Sequence, residues 1–413
     1  MRRSALLATV LTAATFALAP LGAGAARSRT VTVCPSGPPL CDFATIPAAI
    51  AAVSDGDTIR VAPGRYAGGF TIGKSVSIVG SGQAVTTIVG EGVLLTRSGS
   101  VQVAVGRTVE IRGVTITGNS YGTGLVNLGT LLLVHSTVSR NGVGGRHGPA
   151  PAVSGIYNRG SLTLRSSTVD HNGPGYPAGI GGILNDGSMT LDDSSLIHNR
   201  SEYGGIVNHG TAILRRTVLD DNGEWMAGGI VNSGKLVLIK CLLLRNWADF
   251  GGAIANTGDA TIVDTTIVRN WSLVGGYGGI DNNRGTVRIS RSTISHNYAD
   301  HGTGGLNNTE GVVAITDSRL SDNSSSDGGG IRTFGGTLAV IRSVIAHNSI
   351  QPIYSGGGIH NEGTQMTLTE TRIVWNYPDN CYGCPEPRDA SHGGPPLWPF
   401  ASGGIATSAG RTK

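Results

Sequence analysis

The sequence predicts an all-β fold in which one short unit recurs along the chain as a stack of coils. A phrase close to "GGAIANTGDATIVDTTIVRN" (251–270) returns many times, and its apolar residues alternate with the period of two that a strand requires. The helical spacing of three and four is missing from these short segments, which glycines interrupt. Glycine, 65 of 413 residues, follows no G-X-Y period, so a collagen-like chain is excluded.

Eleven copies of the unit align on their final asparagine, which we call the ladder Asn. Successive copies are 22 to 31 residues apart, a period typical of solenoids in which each coil buries its apolar face on the next. The residues eight and three positions before the ladder Asn are aliphatic in every copy. The ladder Asn residues are Asn119, Asn141, Asn172, Asn199, Asn222, Asn246, Asn270, Asn297, Asn323, Asn348 and Asn376.

Asparagine fits this position because it tolerates the left-handed backbone of a sharp corner and because stacked amides can hydrogen-bond along the axis. We therefore interpret the ladder Asn residues as structural. Five positions before them stands a column of small residues, in which Cys241 is interpreted as a buried substitute for serine rather than a nucleophile. A second Asn column follows the "GG[IL]" element: Asn127, Asn158, Asn185, Asn208, Asn232, Asn256, Asn282, Asn308 and Asn361, with Thr333 as the exception.

The pattern GG[IL]xN…[ST]x[VIL]xxN resembles the right-handed parallel β-helix repeats of pectin-lyase-like proteins and is similar to the GGAI/FxxN repeats of polymorphic outer-membrane proteins. The stretch "FATIPAAIAAVSDGDTIRVAPGRY" (43–66) resembles the capping start of that superfamily. The resemblance implies a single right-handed parallel β-helix of about 12–14 coils with a short capping helix at 45–53. It leaves function open, because such repeats occur in lyases, hydrolases, epimerases and adhesins.

The predicted organisation is a signal peptide at 1–25, a β-helix domain at 26–385, and a disordered tail at 386–413. Within the domain, 43–66 form the cap and first coil, and 109–376 hold the eleven aligned repeats. The charged head, short apolar run and small residues of the signal predict a secreted, extracellular protein. The chain has no second apolar run that would predict a membrane span. A net charge near +2 after cleavage argues against a nucleic-acid partner. A monomer is expected.

Five cysteines in a secreted chain suggest two bridges and one leftover thiol. Cys34–Cys41 and Cys381–Cys384 are the local pairs, and cross-pairing would have to span the whole stack of coils. A redox CxxC at 381–384 lacks a following helix, and a zinc site lacks a second pair of ligands. Structural bridges are the favoured interpretation.

The copies vary in length on one side only. From the second Asn column to the ladder Asn there are always 14 or 15 residues, whereas from the ladder Asn to the next second-column position there are 8 to 17. Insertions therefore project from one side of the solenoid, which is often the binding side of repeat proteins. The loop 142–157 is the longest, and whether it covers a groove there is open.

Aromatic and acidic residues concentrate in this variable-length segment, a combination suited to a polysaccharide, whose sugar faces stack on rings while acids bind hydroxyls. A carbohydrate-binding protein without catalysis is the first functional hypothesis, with a polysaccharide or surface glycan as partner. No cofactor is required, although Ca²⁺ stays open. The substrate-binding candidates are Trp225, Trp247, Trp271, Tyr298, Asp300 and Asp327.

A polysaccharide lyase or glycoside hydrolase acting on uronate polymers is the alternative, with Glu202, Glu224 and Asp249 as acid and base candidates. If these acids are in register, their separations of about 5 and 10 Å bracket those of retaining and inverting glycosidases. A carboxylate with a raised pKa beside an open groove would favour the enzyme. An adhesin-like surface protein is a third possibility, which the lack of an anchor after residue 385 disfavours.

Other constellations are weaker. The paired aspartates at 192–193 and 220–221 are similar to those of polygalacturonases, but the accompanying elements of that family are missing, so no family catalytic residues are transferred. His171, His198 and Asp221 fall in consecutive coils and could bind a metal ion. The position directly before the ladder Asn, which these residues occupy, holds arginine or tryptophan in other copies. Such variety is typical of an exposed position, so no metal site is expected.

Overall fold

The computed structural model describes residues 28–90, 99–142, 153–173, 179–350 and 355–385. The predicted signal peptide (1–25), the predicted tail (386–413) and most of the loop 142–157 lie outside these ranges. The described chain is a right-handed parallel β-helix of about 13 coils, as the repeats predict. None of its helices in these ranges combines the length and the apolar character needed to cross a bilayer.

Each coil contributes strands to up to four parallel sheets, which we number in the order the chain visits them after the second Asn column. Sheet 1 has fourteen strands, and it contains the residues eight before the ladder Asn. These strands are Thr30–Val33, Thr58–Val61, Ser77–Gly80, Thr108–Arg112, Thr130–Val134, Ser161–Arg165, Ser188–Asp192, Thr211–Arg215, Lys235–Ile239, Asp259–Val263, Thr286–Ser290, Val312–Thr316, Thr337–Ile341 and Gln365–Thr369.

Sheet 2 has thirteen strands, which from the third onward end two residues before a ladder Asn. They are Gly64–Ala67, Thr86–Val89, Thr115–Thr117, Thr137–Ser139, Thr168–Asp170, Ser195–Ile197, Val218–Asp220, Leu242–Leu244, Thr266–Val268, Thr293–Ser295, Arg319–Ser321, Val344–Ala346 and Arg372–Val374. Sheet 3 has seven short strands that begin directly after the ladder Asn: Arg200–Tyr203, Gly223–Ala227, Trp247–Ala248, Trp271–Ser272, Tyr298–Ala299, Ser324–Ser325 and Ser349–Ile350.

Sheet 4 has thirteen strands and contains the GG[IL]xN element. They are Phe70–Ile72, Val101–Val103, Leu125–Asn127, Ile156–Asn158, Ile183–Asn185, Ile206–Asn208, Ile230–Asn232, Ile254–Asn256, Ile280–Asn283, Leu306–Thr309, Ile331–Phe334, Ile359–Glu362 and Cys381–Tyr382. Equivalent repeat positions pair across neighbouring coils, as Leu214 pairs with Leu238 and Leu219 with Leu243. These aliphatic columns fill the interior and are buried except in the last coil, where Leu368 and Ile373 are partly buried.

The first coil is covered by the predicted short helix. Helix α1 (Ile46–Ala52) begins after Thr45, whose hydroxyl accepts a hydrogen bond from the amide of Ala48 at 3.3 Å. Its apolar side packs against the first strands of sheet 1, which hides the open end of that sheet. The Cys34–Cys41 and Cys381–Cys384 bridges are both present, which confirms the predicted pairing.

The ladder Asn column is a continuous ladder of buried amides, and the second column is one from Asn127 to Asn308, after which Thr333 interrupts it. In the ladder column, the Nδ2 of Asn222 donates to the Oδ1 of Asn246 at 2.9 Å and to the Leu196 carbonyl at 2.9 Å. In the second column, the Nδ2 of Asn208 donates to the Oδ1 of Asn232 at 2.7 Å. Because each fully buried amide is bonded to the coils on either side, the predicted structural role of these residues is confirmed.

One detail of that prediction is wrong: the ladder Asn does not adopt the left-handed backbone. In the described residues, the positive φ falls on the residue before it, as at His198 (φ 54°) and Arg245 (φ 51°), and on a second corner between sheets 1 and 2, as at Asp193 (φ 48°). The side chain of the ladder Asn is needed inside the coil, so the turn is made by the exposed residue beside it. Cys241 is buried, with Sγ 3.4 Å from the Leu214 carbonyl, where serine hydroxyls lie in other coils, as predicted.

Candidate functional site

The segment between each ladder Asn and the next strand of sheet 4 forms one side of the coil. We call this side the lateral face, and it comprises sheet 3, the loops that follow it, and the outward side chains of sheet 4. All length variation between copies falls here. Because loops on a rigid scaffold can change without disturbing the stack, this is where the fold permits a specific site.

Two tryptophans of the lateral face stack on each other rather than standing free. Trp247 and Trp271 are register partners in sheet 3, with ring centroids 5.2 Å apart and planes 13° from parallel. The Arg200 guanidinium lies 5.3 Å from the Trp247 ring and approaches it from the other side along the axis. It crosses the coil of Gly223, where a Cβ would lie 1.8 Å from the Trp247 carbonyl oxygen. Trp247 therefore presents mainly its edge to a ligand.

Beside this stack lies a patch of exposed apolar side chains in four consecutive coils. Each is between 36% and 57% exposed, and each belongs to the variable-length segment. Backbone hydrogen bonds connect these loops from coil to coil, since Asp249 N donates to Trp225 O at 2.8 Å and Val274 N donates to Asp249 O at 2.9 Å. The patch is thus held in register with the sheets. Its members, which we call the apolar patch, are Trp225, Met226, Phe250, Leu273, Val274 and Tyr298.

Glu224 occupies an unusual position next to the apolar patch. It pairs with Ser201 and belongs to an inward-facing column of sheet 3 whose next members are the buried Ala248 and Ser272. One oxygen of its carboxylate, Oε2, is buried and has no hydrogen-bond partner among the described residues, as is also true of the Ser201 hydroxyl. Burial raises the pKa of Glu224, and attraction to Arg200 offsets part of that rise. This carboxyl is therefore disposed to hold a proton.

The three candidate acids do not form one column. Ser201 and Glu224 are register partners, each two residues after its ladder Asn, whereas Glu202 is three residues after its ladder Asn, where a bulge then shifts the register. Asp249 follows Trp247 and Ala248, which places it in the column of Trp225. The assumption that these acids stand in register is therefore wrong. The sequence already contains this offset, since Glu224 is two residues after its ladder Asn, whereas Glu202 and Asp249 are three residues after theirs.

The other two acidic candidates are engaged within their own loops. The Tyr298 hydroxyl donates to Asp300 Oδ1 at 3.1 Å, and Asp327 Oδ2 accepts a hydrogen bond from the amide of Gly302 at 3.2 Å. These contacts fix the loops of neighbouring coils against each other. Both aspartates belong to the lateral face, but they do not converge with Glu224 on one centre.

The outward row of sheet 4, the x of GG[IL]xN, holds functional candidates that the sequence reading missed. Its first half is apolar and packs under Val153, Ile180 and Tyr203 as a second small core. From coil to coil the row then turns polar: Asp281, Asn307, Arg332 and His360 are register partners in succession. The change from apolar to polar residues in this one repeat position is visible in the sequence and could have identified these candidates.

Asp281 is the most perturbed acid of the lateral face. It is half-buried, and burial raises its pKa to about 6, although a hydrogen bond from Asn307 Nδ2 at 2.8 Å opposes the shift. Tyr277 comes from the loop above the row, and its pKa is raised by burial and by the nearby carboxylate of Asp281. A carboxyl that titrates near neutral pH beside a phenol can exchange protons with a ligand.

The end of this row is a network of charged side chains. Glu362 Oε1 lies 2.9 Å from His360 Nε2 and 3.3 Å from an Arg332 amino group. The Nδ1 of His360 contacts the Ser355 carbonyl at 2.6 Å, and its ring lies 4.9 Å from that of Tyr382. Arg332 and His360 are thus fixed in place, and both ring nitrogens of His360 are occupied within the network.

The described residues offer little to Ca²⁺ on the lateral face. Three metal-binding side chains converge at one place in the described ranges, Asp170, His171 and His198, and that group contains a single carboxylate. Ca²⁺ is bound by six to eight oxygens, so this donor set does not suit it. Calcium dependence therefore stays a prediction.

No protein-family model matches the chain, and no curated protein matches its sequence. Similar solved structures include a family 28 exopolygalacturonase of Yersinia enterocolitica (11% identity, covering 84% of this chain and 78% of that one, TM-score 0.48). Others are a mannuronan C-5 epimerase A-module of Azotobacter vinelandii (14%, 80% and 90%, 0.45) and a mannuronic acid specific family 6 polysaccharide lyase from human gut microbiota (12%, 83% and 87%, 0.42). At such identities the likeness concerns the fold alone.

Proposed function

We propose that the lateral face binds a polysaccharide, whose chain lies along the coil axis across the apolar patch. The observation that carries this proposal is the concentration of exposed aromatic and aliphatic side chains in four consecutive coils. A contiguous apolar patch on a protein surface marks an interaction site. Aromatic rings beside carboxylates and hydroxyls match the alternation of apolar faces and polar edges on a sugar chain.

The shape of the face supports an extended ligand rather than a compact one. Sheets 3 and 4 present equivalent positions about 4.8 Å apart along the axis, so the same kind of contact is offered coil after coil. The polar half of the sheet 4 row, with Arg332 and His360, extends the face beyond the apolar patch. The guanidinium of Arg332, of which one amino group contacts Glu362, suits a polymer that carries carboxylates.

The proposal is tested by binding of the purified protein to immobilised polyuronates and neutral polysaccharides. A Trp225→Ala/Phe250→Ala double variant removes two exposed rings and is expected to weaken binding roughly 10- to 100-fold, since each aromatic contact contributes about 1 kcal/mol. Trp375→Ala is the matched control, because Trp375 is 49% exposed but precedes the ladder Asn and lies outside the lateral face. Equal binding by all three proteins, or binding of the wild type to no polymer, would contradict the proposal.

A second candidate function, cleavage of the bound polymer, is favoured by Glu224. A half-buried carboxyl with a raised pKa beside the binding face is the kind of group that donates a proton to the oxygen of a departing sugar. Glu202 and Asp249 are the carboxylates of neighbouring coils from which the second acid of a hydrolase would come. The polymer bound in the first test is then the substrate to examine.

Release of reducing ends from that polymer, with and without Ca²⁺, tests this candidate. If the protein is a hydrolase that uses Glu224 as its acid, Glu224→Gln lowers the rate at least 100-fold while still binding the polymer. Glu310→Gln is the matched control, because Glu310 is an exposed acid that pairs with Arg284 outside the lateral face, and it should leave the rate unchanged. Absence of release from every polymer would leave binding as the function.

A further inference from the structure

Asp170, His171 and His198 form a cluster that is separate from the apolar patch and independent of the proposed function. Asp170 ends a strand of sheet 2, His171 makes the left-handed turn after it, and His198 makes the same turn one coil later. Because both histidines have nearly the same φ, 49° and 54°, their side chains leave the backbone in parallel. Their ring centroids are 4.6 Å apart.

The donor atoms of the three side chains converge. Asp170 Oδ1 lies 2.5 Å from His171 Nδ1 and 3.4 Å from His198 Nδ1. One possible ligand atom from each residue can be chosen so that all three lie within 4.8 Å of one another. Four ligands placed tetrahedrally about 2.0–2.1 Å from a zinc ion are themselves roughly 3.3 Å apart. The cluster needs only small rotations of exposed side chains to reach that arrangement.

We propose that Asp170, His171 and His198 bind a divalent transition-metal ion of the zinc type, with water completing the coordination. Two imidazoles and one carboxylate are the ligands that zinc, nickel and copper prefer, and they disfavour the all-oxygen shells of Mg²⁺ and Ca²⁺. The ion takes the place of the proton shared between Asp170 and His171. One face of the ion stays open to solvent, since the three side chains are 23% to 51% exposed.

The surroundings of His198 support its role as a ligand. Its Nε2 lies 3.7 Å from Asp221 Oδ2, and Asp221 is itself held by Arg200, whose Nη2 donates to Oδ1 at 2.9 Å. At this distance the contact is electrostatic and not a hydrogen bond, and a small rotation of the ring brings Nε2 within donating distance of Asp221, which fixes the orientation of a metal-binding imidazole. His198 therefore has a metal-facing nitrogen at Asp170 and an orienting partner at Asp221.

The test is calorimetric titration of chelator-treated protein with Zn²⁺, with Mg²⁺ as the comparison ion. The wild type is expected to bind one Zn²⁺ through the cluster, and His198→Ala or Asp170→Asn should weaken that binding at least tenfold. His296→Ala is the matched control, because His296 occupies the same left-handed position (φ 55°) in another coil and is not part of the cluster. It should leave the affinity unchanged.

Thermal melting gives a second measurement on the same proteins. A metal ion that binds only the folded chain raises the melting temperature, so Zn²⁺ should stabilise the wild type and His296→Ala but not His198→Ala. Absence of Zn²⁺ binding by the wild type would overturn the proposal and leave ordinary ion pairs between His and Asp. The same holds if His198→Ala and Asp170→Asn bind as tightly as His296→Ala.

Discussion

The segment from the second Asn column to the ladder Asn, which has 14 or 15 residues in every copy, places asparagine side chains inside the coil, where they hydrogen-bond to neighbouring coils. The variable-length segment that follows places large apolar side chains outside, where they are exposed to solvent. Asn222 illustrates the first, since it is fully buried and bonded to the coils on both sides. Phe250 illustrates the second, at 43% exposed. The two segments invert the usual distribution of polar and apolar residues because one builds the stack and the other faces a partner.

This contrast shows where to look for function in a repetitive chain. Residues that recur in every copy explain the stacking, and the residues that depart from the repeat explain what one particular protein does. Glu224 stands where other coils place serine, alanine or isoleucine, and Asp281 stands in a row that begins with apolar residues. Each departure costs stability in the stack and is informative for that reason.

The largest effect is expected from breaking the ladder. Asn222→Ala removes an acceptor for the Asn199 amide and side chain and a donor to the Leu196 carbonyl and to Asn246. Because these buried groups have no water to replace the lost partner, the free energy of unfolding should fall by about 3 kcal/mol. Urea denaturation followed by circular dichroism measures the change.

An exposed asparagine of the same chain provides the control for the ladder. Asn283 ends a strand of sheet 4 directly after the buried Asn282, and its side chain is exposed. Asn283→Ala should change the free energy of unfolding by no more than about 0.5 kcal/mol. A similar loss in both variants would mean that burial in the ladder contributes nothing, and the contrast between the segments would fail.

Most of the scaffold could be predicted from the sequence because its signals repeat. Eleven copies average out local exceptions, so the aliphatic columns, both Asn ladders, the small column with Cys241 and the cap after Thr45 were all readable. The left-handed position was misassigned, because asparagine propensity pointed to the ladder Asn while burial required its side chain inside the coil. Side-chain burial decided the outcome.

The lateral face was only partly predictable, since nothing there repeats. The aromatic residues were found, but the sequence could not show that Trp247 and Trp271 cover each other or that Arg200 reaches across Gly223. The offset of Glu224 from Glu202 and Asp249 could have been counted from the ladder Asn, whereas the bulge after Ser201 is seen only in the structure. The polar half of the sheet 4 row lay in the unspecified position of the repeat pattern.

A smaller effect, dependent on pH, is expected at Asp281. Its pKa is about 6 in the folded chain, compared with the ordinary value of 3.8 that applies to the unfolded chain, so ionisation of this carboxyl opposes folding. Well below pH 3.8 the carboxyl is protonated in both states and costs nothing. As pH rises through 4 to 6 the cost grows, and above pH 6 it reaches at most about 3 kcal/mol, which is the shift multiplied by about 1.4 kcal/mol per unit. The free energy of unfolding of the wild type is therefore lowered by this group as the pH rises above about 4.

Asp281→Asn removes that cost and keeps an oxygen to accept the hydrogen bond from Asn307. The variant should be more stable than the wild type by about 1–3 kcal/mol at pH 8 and by no more than about 0.5 kcal/mol at pH 4, measured by urea denaturation at both values. Asp259→Asn, which removes the same charge from an exposed position, should show no such difference between the two pH values. If Asp281→Asn instead gave a constant difference at pH 4 and pH 8, the buried carboxyl would not be the protonatable group of the lateral face. The departure from the repeat at this coil would then have to be explained by packing.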